Sequence, residues 1–190
     1  MSSILLTPPA TEPVSLAEAK GYLRVEHADD DDLIAALIAS ARAHVEAQTR
    51  RALITQVWRH SLDMWPIGDR VLVLPAPLQE LVAARVYDEE GNAQAIDLET
   101  LVVDTISVPG VVWFRPWSVP GPGRKHGGIE LDAVAGYGDA AVDVPPSLKL
   151  AIRMLVAHWY ENRGVIASGS GAPLLATAAT LLAPYRVLSL

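Results

Sequence analysis

The sequence of 190 residues contains no cysteine. This absence excludes disulfide bonds, zinc–thiolate sites and catalysis by a thiol nucleophile. Basic residues are also scarce, since 15 lysines and arginines stand against 22 acidic residues and give a net charge of -7. A dedicated nucleic-acid-binding protein needs a concentrated basic surface, so this charge balance disfavours that class.

The sequence also lacks a long hydrophobic run free of charge. Its most apolar segment, residues 144–163, carries Lys149 and Arg153, whereas a membrane-spanning helix needs about 20 mostly apolar residues. The first residues, MSSILLTPPATEP, have no basic region of the kind that opens a secretory signal. Hydrophobic residues nevertheless make up 51% of the chain. This content predicts a folded chain with a sizeable core and some apolar surface left for association.

Two helices are predicted near the start of the chain. Ser15 and Glu18 have the spacing of a capping box, which opens a short helix through about Leu23. The second helix begins at the acidic run 29–32 and continues with apolar residues at helical spacing to about Arg51. We interpret the acidic run as carboxylates that complement the positive end of the helix dipole.

A third helix is predicted over residues 144–163, and it shows almost no polar face. Leu148 and Ile152 belong to a stripe at helical spacing, while Leu150 and Met154 make the opposite side apolar as well. A helix that is apolar nearly all round is enclosed by protein or lipid. We expect it to pack on the second helix, which leaves its second apolar side to be explained.

Between these helices the pattern changes to the alternation typical of strands. Strands are predicted in TQVWRHSLDMW, RVLVLP and IELDAVAGYG, with a hairpin that turns at Asp88 to Asn92. The predicted fold is α+β and mainly helical: a small helical bundle with an inserted β-hairpin-rich segment and an extended C-terminal tail. Its parts are N-terminal helices (1–53), a β-rich insertion (54–139), a core helix (140–164), and a linker with a docking tail (165–190).

The motifs that bear chemistry do not assemble into a catalytic or metal site. The five histidines fall in five separate segments without an HxxxH or HExxH pair. The stretch GPGRKHGG lacks the GK[ST] of a phosphate-binding loop, and the region GSG is not a GxSxG elbow. We therefore expect no enzyme activity, no catalytic or metal-binding residue and no cofactor.

Three ordered stretches resemble the head–tail connector (adaptor, head-completion) proteins of long-tailed bacteriophages and gene-transfer agents. They are VSLAEAKGYLRVEHADDDDLIAALIASARAHVEAQTRRAL, then LPAPLQELVAARVYDEEGNAQAID, then VAGYGDAAVDVPPSLKLAIRMLVAHWYENRGV. The resemblance implies a structural adaptor that forms a ring between the portal of a phage-like capsid and the tail. The ring would extend the DNA channel and offer the tail its docking surface.

The resemblance also implies partners and a location. The partners are other copies of the chain in a ring such as a dodecamer, the portal protein, a tail-side stopper or tail-terminator protein, and DNA in transient passage. No membrane is involved. The location is the head–tail interface of a virion or phage-like particle, after assembly in the host cytoplasm.

Candidate contact residues follow from the apolar and aromatic positions. For portal binding the C-terminal candidates are Leu174, Leu175, Leu181, Leu182, Tyr185, Arg186 and Leu188. The same tail could instead pack on its own domain, and this alternative stays open. Trp113, Trp117, Leu150 and Met154 are candidates for contacts with the next subunit or the tail. Arg124 and Lys125 are candidates for DNA-channel contacts.

Two other functions remain as alternatives. The first is a nucleic-acid-binding module that uses Arg115, Arg124 and Lys125, and it predicts salt-dependent binding to duplex DNA. The second is a stopper or tail-completion protein of the same particle. The helical start and end of the chain argue against this second role, because we expect such proteins to be mainly β.

Overall fold

The computed structural model describes residues 1–162 and 172–188, with the side chains of 172–175 excepted. The described helices are α1 (Leu16–Leu23), α2 (Asp31–Thr49), α3 (Pro146–Glu161) and α4 (Ala172–Leu182). The strands are β1 (Ser2–Thr7), β2 (Gln56–Leu62), β3 (Arg70–Val73), β4 (Leu78–Tyr87), β5 (Ala93–Ala95), β6 (Val102–Asp104), β7 (Gly110–Trp113) and β8 (Ile129–Ala135).

The prediction of a mainly helical fold is wrong. The structure is α+β with about 32% helix and 26% strand, and the strands form two antiparallel sheets. A hairpin-rich insertion is predicted from the sequence, but strands distant in the chain, β2 and β4, each pair with β8 there. None of the described helices is long and apolar enough to cross a membrane.

The chain divides into two compact units. The first, here called the β unit, contains residues 1–9 and 55–136. The second, here called the helical unit, contains residues 10–54 and the described residues from 137 to 188. The N-terminal segment therefore contributes a strand to the β unit, whereas the sequence analysis assigned residues 1–53 to helices.

The β unit contains a five-stranded sheet in the order β1-β2-β8-β4-β5 and a three-stranded sheet in the order β3-β7-β6. Apolar residues of both sheets share one buried cluster, which includes Val73, Val112 and Leu131. Gly110 lies where the sheets approach closely, because an added Cβ would collide with the side chain of Leu78. Glycine at this position therefore permits the two sheets to close on their common core.

The helical unit is built around a single apolar cluster. Ile34, Ile38 and Val45 of α2 pack with Leu148 and Ile152 of α3, which confirms the predicted contact between these helices. Each of these five side chains is buried. Burial of aliphatic side chains at this level is the main stabilising term of such a bundle.

The starts of the first two helices show why the acidic residues stand there. The predicted capping box is confirmed: the backbone amide of Glu18 donates to Ser15 Oγ at 3.1 Å, and that of Ser15 donates to Glu18 Oε2 at 2.8 Å. In the acidic run, Asp31 binds Lys20 and Asp30 accepts a hydrogen bond from the hydroxyl of Tyr160. Glu18 therefore caps α1, whereas Asp30 and Asp31 bind side chains of the helical unit near the start of α2.

The tail is not extended as predicted, since α4 forms a helix of 11 residues. Ala178 and Leu182 of α4 are buried, and Leu182 joins the core cluster of the helical unit. Alanine favours a helix, and the apolar positions of this segment find partners on α3 and α2. The sequence analysis gave too much weight to the preceding Gly/Ser-rich linker.

Candidate interaction surfaces

A network of charged side chains lies on one face of the five-stranded sheet. Arg59 donates two hydrogen bonds to Asp132, from Nε at 2.7 Å and from Nη2 at 2.9 Å. Arg85 donates to the same carboxylate at 2.8 Å, and the hydroxyl of Tyr87 donates to Glu130 at 2.9 Å. The network therefore joins β2, β8 and β4 across the sheet.

The titration properties of this network fit a structural role. The hydrogen bonds from Arg59 keep the pKa of Asp132 below its ordinary value. The hydrogen bond to Glu130 raises the pKa of Tyr87. Because its arginine partners hold Asp132 ionised, this carboxylate is not suited to act as a proton donor in catalysis at neutral pH.

Two histidines are buried, one in each unit. His60 of β2 has no exposed surface, and its Nδ1 lies 2.8 Å from the hydroxyl of Ser3 on β1. Burial lowers the pKa of His60 to about 4, so its ring is neutral at pH 7. His158 of α3 is 4% exposed, and its backbone carbonyl accepts a hydrogen bond from Asn162. Both histidines are buried in the core of their unit and have a structural role there.

Among the described residues, no group of three or more His, Asp or Glu side chains is arranged to hold a metal ion. The closest approach to such a group is the pair Asp63 and His126, with 3.0 Å between Asp63 Oδ1 and His126 Nδ1. A pair of this kind on an exposed loop supplies two ligands, fewer than a structural metal site uses.

The predicted portal-binding residues are distributed over the core and the surface of the helical unit. Leu182 is 3% exposed, whereas Leu188 is 87% exposed. Leu181 and Tyr185 are partly buried against the core, and Arg186 is exposed. The side chains of Leu174 and Leu175 lie outside the described residues.

One backbone hydrogen bond and one from an arginine side chain hold the end of the tail on the helical unit. The amide of Val187 donates to the carbonyl of Thr49 at 3.0 Å, and Arg51 Nε donates to the carbonyl of Tyr185 at 2.7 Å. The structure therefore brings the tail back onto its own domain. This was one of the two alternatives that the sequence left open.

The four candidates for contacts with another subunit differ in exposure. Trp117 is 82% exposed and Trp113 is 40% exposed. Leu150 of α3 is half-buried and Met154 is buried, so α3 presents little apolar surface to another copy. The second apolar side of α3 is covered within this single chain.

The local aromatic core of the β unit uses two residues that the sequence analysis did not single out. Trp65 stacks on Phe114 with 4.6 Å between ring centroids, and Trp65 Nε1 donates to the carbonyl of Pro120 at 2.9 Å. Trp113 instead lies beside Arg70, whose guanidinium carbon is 5.5 Å from the ring centroid. The presence of tryptophans in the sequence does not show which of them is packed in the aromatic core and which lies beside an arginine.

Arg124, a candidate for DNA contact, is engaged within the β unit. Its guanidinium carbon lies 4.0 Å from the ring centroid of Tyr87, and its side chain donates to the carbonyl of Gly127. Lys125 is exposed on the same loop. The structure therefore places Arg124 in the support of the loop, whereas Lys125 stands on its surface.

An exposed apolar region on the β unit was not predicted from the sequence. Strand β1 is exposed along its whole length, with Ile4 at 54% and Leu5 at 42%. Near it, an open groove of about 590 Å³ is lined by Met1, Met64, Pro66, Ile67, Leu72 and Leu74 together with other residues. The only sign of this strand in the sequence was the short run ILL between serine and threonine. It does not show the alternation of apolar and polar residues by which strands are recognised.

Comparison with known proteins identifies one protein family that is similar to part of the chain. Residues 13–103 match the family model described as phage gp6-like head-tail connector protein. This segment, nearly half of the chain, is similar to the head–tail connector family. The match confirms the resemblance on which the predicted role depends. No curated protein sequence matches the chain.

Solved structures extend the likeness in fold to the whole chain. One match, described as the neck of an empty GTA particle computed with C6 symmetry, has a TM-score of 0.85 at 22% identity. A chain of the virion of a native gene transfer agent particle gives 0.83, and one from the native neck with C12 symmetry gives 0.81, each at 22% identity. All three comparisons cover 100% of this chain and 97% of the other. The chain thus shares its fold with chains of gene transfer agent particles.

Proposed function

We propose that the protein is a structural adaptor that forms a ring between the portal of a phage-like capsid and the tail. The observation that carries this proposal is the likeness of the entire chain to neck subunits, at a TM-score of 0.85, together with the family match over 13–103. The ring would extend the DNA channel and present the surface on which a tail-side stopper or tail-terminator protein docks. Its location would be the head–tail interface of the particle.

The proposed ring contains twelve copies. One similar structure is a neck computed with C12 symmetry, which is the symmetry expected of a dodecamer. Rotational rings use two different surfaces of each subunit, since the front of one copy contacts the back of the next. Such interfaces in permanent assemblies are rich in apolar area. The exposed apolar residues of the β unit provide area of this kind.

We propose the C-terminal segment as the portal contact. Leu188 and Arg186 are exposed, while Leu182 and the backbone of Val187 hold the segment on the helical unit. A pocket of about 260 Å³ lies beside Arg186, lined also by His44 and Ala178 among others. Its size fits one apolar side chain of a partner, with the Arg186 guanidinium at the rim to bind a carboxylate.

The proposed function is tested with the purified chain and the portal protein of the same genome. Electron microscopy of the mixture should show a ring coaxial with the portal. Persistent separate particles, with the connector chain monomeric and unbound, would contradict the role. The paired substitutions Leu188→Ser and Arg186→Ala should weaken portal binding, while Val142→Ser, at an equally exposed apolar position of the helical unit, should not.

A further inference from the structure

We infer that neighbouring copies in the ring join by strand pairing, with the free edge of β1 on one copy against the free edge of β5 on the next. The five-stranded sheet of each copy would continue into the sheet of its neighbour. This inference rests on the proposed ring and adds the surfaces, the strand direction and the charges that select the contact. Both edges belong to the β unit.

The edge at β1 is unusually open to pairing. β1 is the outermost strand on its side of the sheet, and each of its six residues is exposed. Its sequence, SSILLT, contains neither a charged residue nor a proline. Proteins normally protect a free sheet edge with lysine, proline or a covering segment, because unpaired backbone groups there bind other strands. Among the residues that the structure describes, the protection on β1 is limited to a register irregularity between Leu5 and Thr7.

The other edge of the same sheet is also open. β5 is the outermost strand on the far side, and its residues Ala93, Gln94 and Ala95 are all exposed and uncharged. Small side chains allow another strand to approach closely. Each copy therefore has two different unpaired edges on opposite sides of one sheet, which is what a head-to-tail contact requires.

The strand directions are consistent with rotational repetition. Each neighbouring pair from β1 to β2, β8, β4 and β5 is antiparallel. Four reversals make β1 and β5 run in the same direction. Copies related by rotation about one axis meet with this direction retained, so β1 would pair with the neighbour's β5 in parallel orientation.

Charges at the strand ends favour this parallel arrangement. The start of β1 borders the loop that carries the exposed Lys125 and His126, and Asp63 of this region is paired with His126. The turn that leads into β5 carries the exposed acidic residues Glu89 and Glu90. Parallel pairing brings these oppositely charged ends together, whereas antiparallel pairing separates them. Exposed charges of this kind set orientation more than affinity.

The register of the sheet identifies which side chains would meet. Ile4 lies opposite Arg59, and Ala95 lies opposite Arg85, so these residues share the face that carries the charged network. Ala93 lies on that face as well, while Gln94 points to the other face. Cysteines on the same face of neighbouring strands, about 4.8 Å apart, come within the Cα separation of a disulfide.

Disulfide trapping tests the inference directly because the chain has no cysteine of its own. The double variants carry Ile4→Cys with Ala93→Cys, or Ile4→Cys with Ala95→Cys. Each is assembled with the portal protein of the same genome, oxidised and separated on a non-reducing gel. We expect a ladder of covalent oligomers that extends beyond the dimer in at least one of the two variants.

A matched control carries Ile4→Cys with Gln94→Cys, whose side chains lie on opposite faces. It should give at least fivefold less product beyond the dimer than the better same-face variant. The single variant Ile4→Cys should remain monomeric on the gel. Substantial dimer from this single variant would show a two-fold contact between two β1 strands and would overturn the inference.

The failure of this inference and that of the ring are distinguishable by electron microscopy of the wild-type mixture. Wild-type and variant rings on the portal without any covalent ladder would overturn the strand contact while leaving the adaptor role intact. No ring with the wild-type chain would overturn the adaptor role, and the inference with it. Trapping of β1 to a portal cysteine variant instead of to β5 would assign this edge to the portal and also overturn the inference.

Discussion

The two units of this chain differ in where they keep their large apolar side chains. Among the described residues, twelve of the sixteen exposed large hydrophobic side chains belong to the β unit, and four belong to the helical unit. In the helical unit, α3 supplies many apolar side chains to the core, and its side chains are almost all covered. Apolar composition of a segment therefore does not indicate which segment is free to bind a partner.

This difference in exposure changes which surface we expect neighbouring copies to use. The sequence suggests that the second side of α3 is left for neighbouring copies, but α1, α2 and α4 pack around this helix within one chain. The apolar surface available for contacts between copies is instead strand β1 and the loops that carry Ile67, Ile106 and Trp117. Exposed apolar patches of this extent mark interaction sites.

The largest effect expected from this comparison is on the core of the helical unit. Leu148 has no exposed surface, so Leu148→Ala should lower the free energy of unfolding by about 4 kcal/mol through lost burial and the cavity left behind. Ile67 is fully exposed in the β unit, and Ile67→Ala should change it by less than about 0.5 kcal/mol. Chemical denaturation measures both, and equal losses would break the comparison.

The buried histidine of the β unit should make the protein sensitive to acid. Burial lowers the pKa of His60 in the folded chain from 6.5 to about 4. Between these values the unfolded chain binds a proton that the folded chain does not, so the free energy of unfolding should fall as pH decreases. The loss attributable to His60 should approach about 3 kcal/mol near pH 4.

Denaturation curves at several pH values between 7 and about 4 check this expectation. His60→Gln should flatten the pH dependence within this window, while acid-sensitive carboxylates would still contribute below it. An identical slope in the wild type and the variant would show that His60 does not carry the effect.

Loss of the central carboxylate of the charged network should have a somewhat smaller effect. Asp132→Asn removes the nearer ionic partner of Arg59 and Arg85 and leaves only Glu130, at 3.4 and 3.6 Å, so the free energy of unfolding should decrease by about 2 kcal/mol. This figure is below that of a fully buried pair because the two arginine side chains are 26% and 30% exposed. Glu80→Gln, at an exposed position of β4, is the matched control, and an equal loss there would contradict the assignment.

The smallest effect on stability, but not on assembly, is expected at the exposed tryptophan. Trp117 is 82% exposed, so Trp117→Ala should alter the free energy of unfolding by less than about 0.5 kcal/mol. If Trp117 contacts the next subunit or the tail, the same change should weaken ring or tail-side binding about tenfold or more. Val142→Ala serves as control, and unchanged binding in both variants would exclude Trp117 from the contact.

Local signals in the sequence predicted local structure well. The pair Ser15 and Glu18 identified the capping box, and the helical spacing from Leu148 to Leu155 identified α3. The turn at Asp88 to Asn92 identified the β4–β5 hairpin. Each of these features depends on residues only a few positions apart.

Features that depend on distant residues could not be predicted in this way. Strand β1 exists because Ser2 to Thr7 find β2 more than fifty residues later, and six residues without a charge pattern give no sign of that partner. Helix α4 depends on the packing of Leu182 against the core rather than on its own periodicity. Likewise, Trp65 is distinguished from Trp117 by the carbonyl of Pro120, which lies far along the chain.

The central claim is that association uses the β unit. Its most direct test is hydrogen–deuterium exchange, measured on the free chain and on the ring assembled on the portal. Amides of β1 and β5 should exchange at least tenfold more slowly in the ring, while those of α3, already covered in the free chain, should not change. Unchanged exchange in β1 and β5, with new protection confined to the helical unit, would contradict the account.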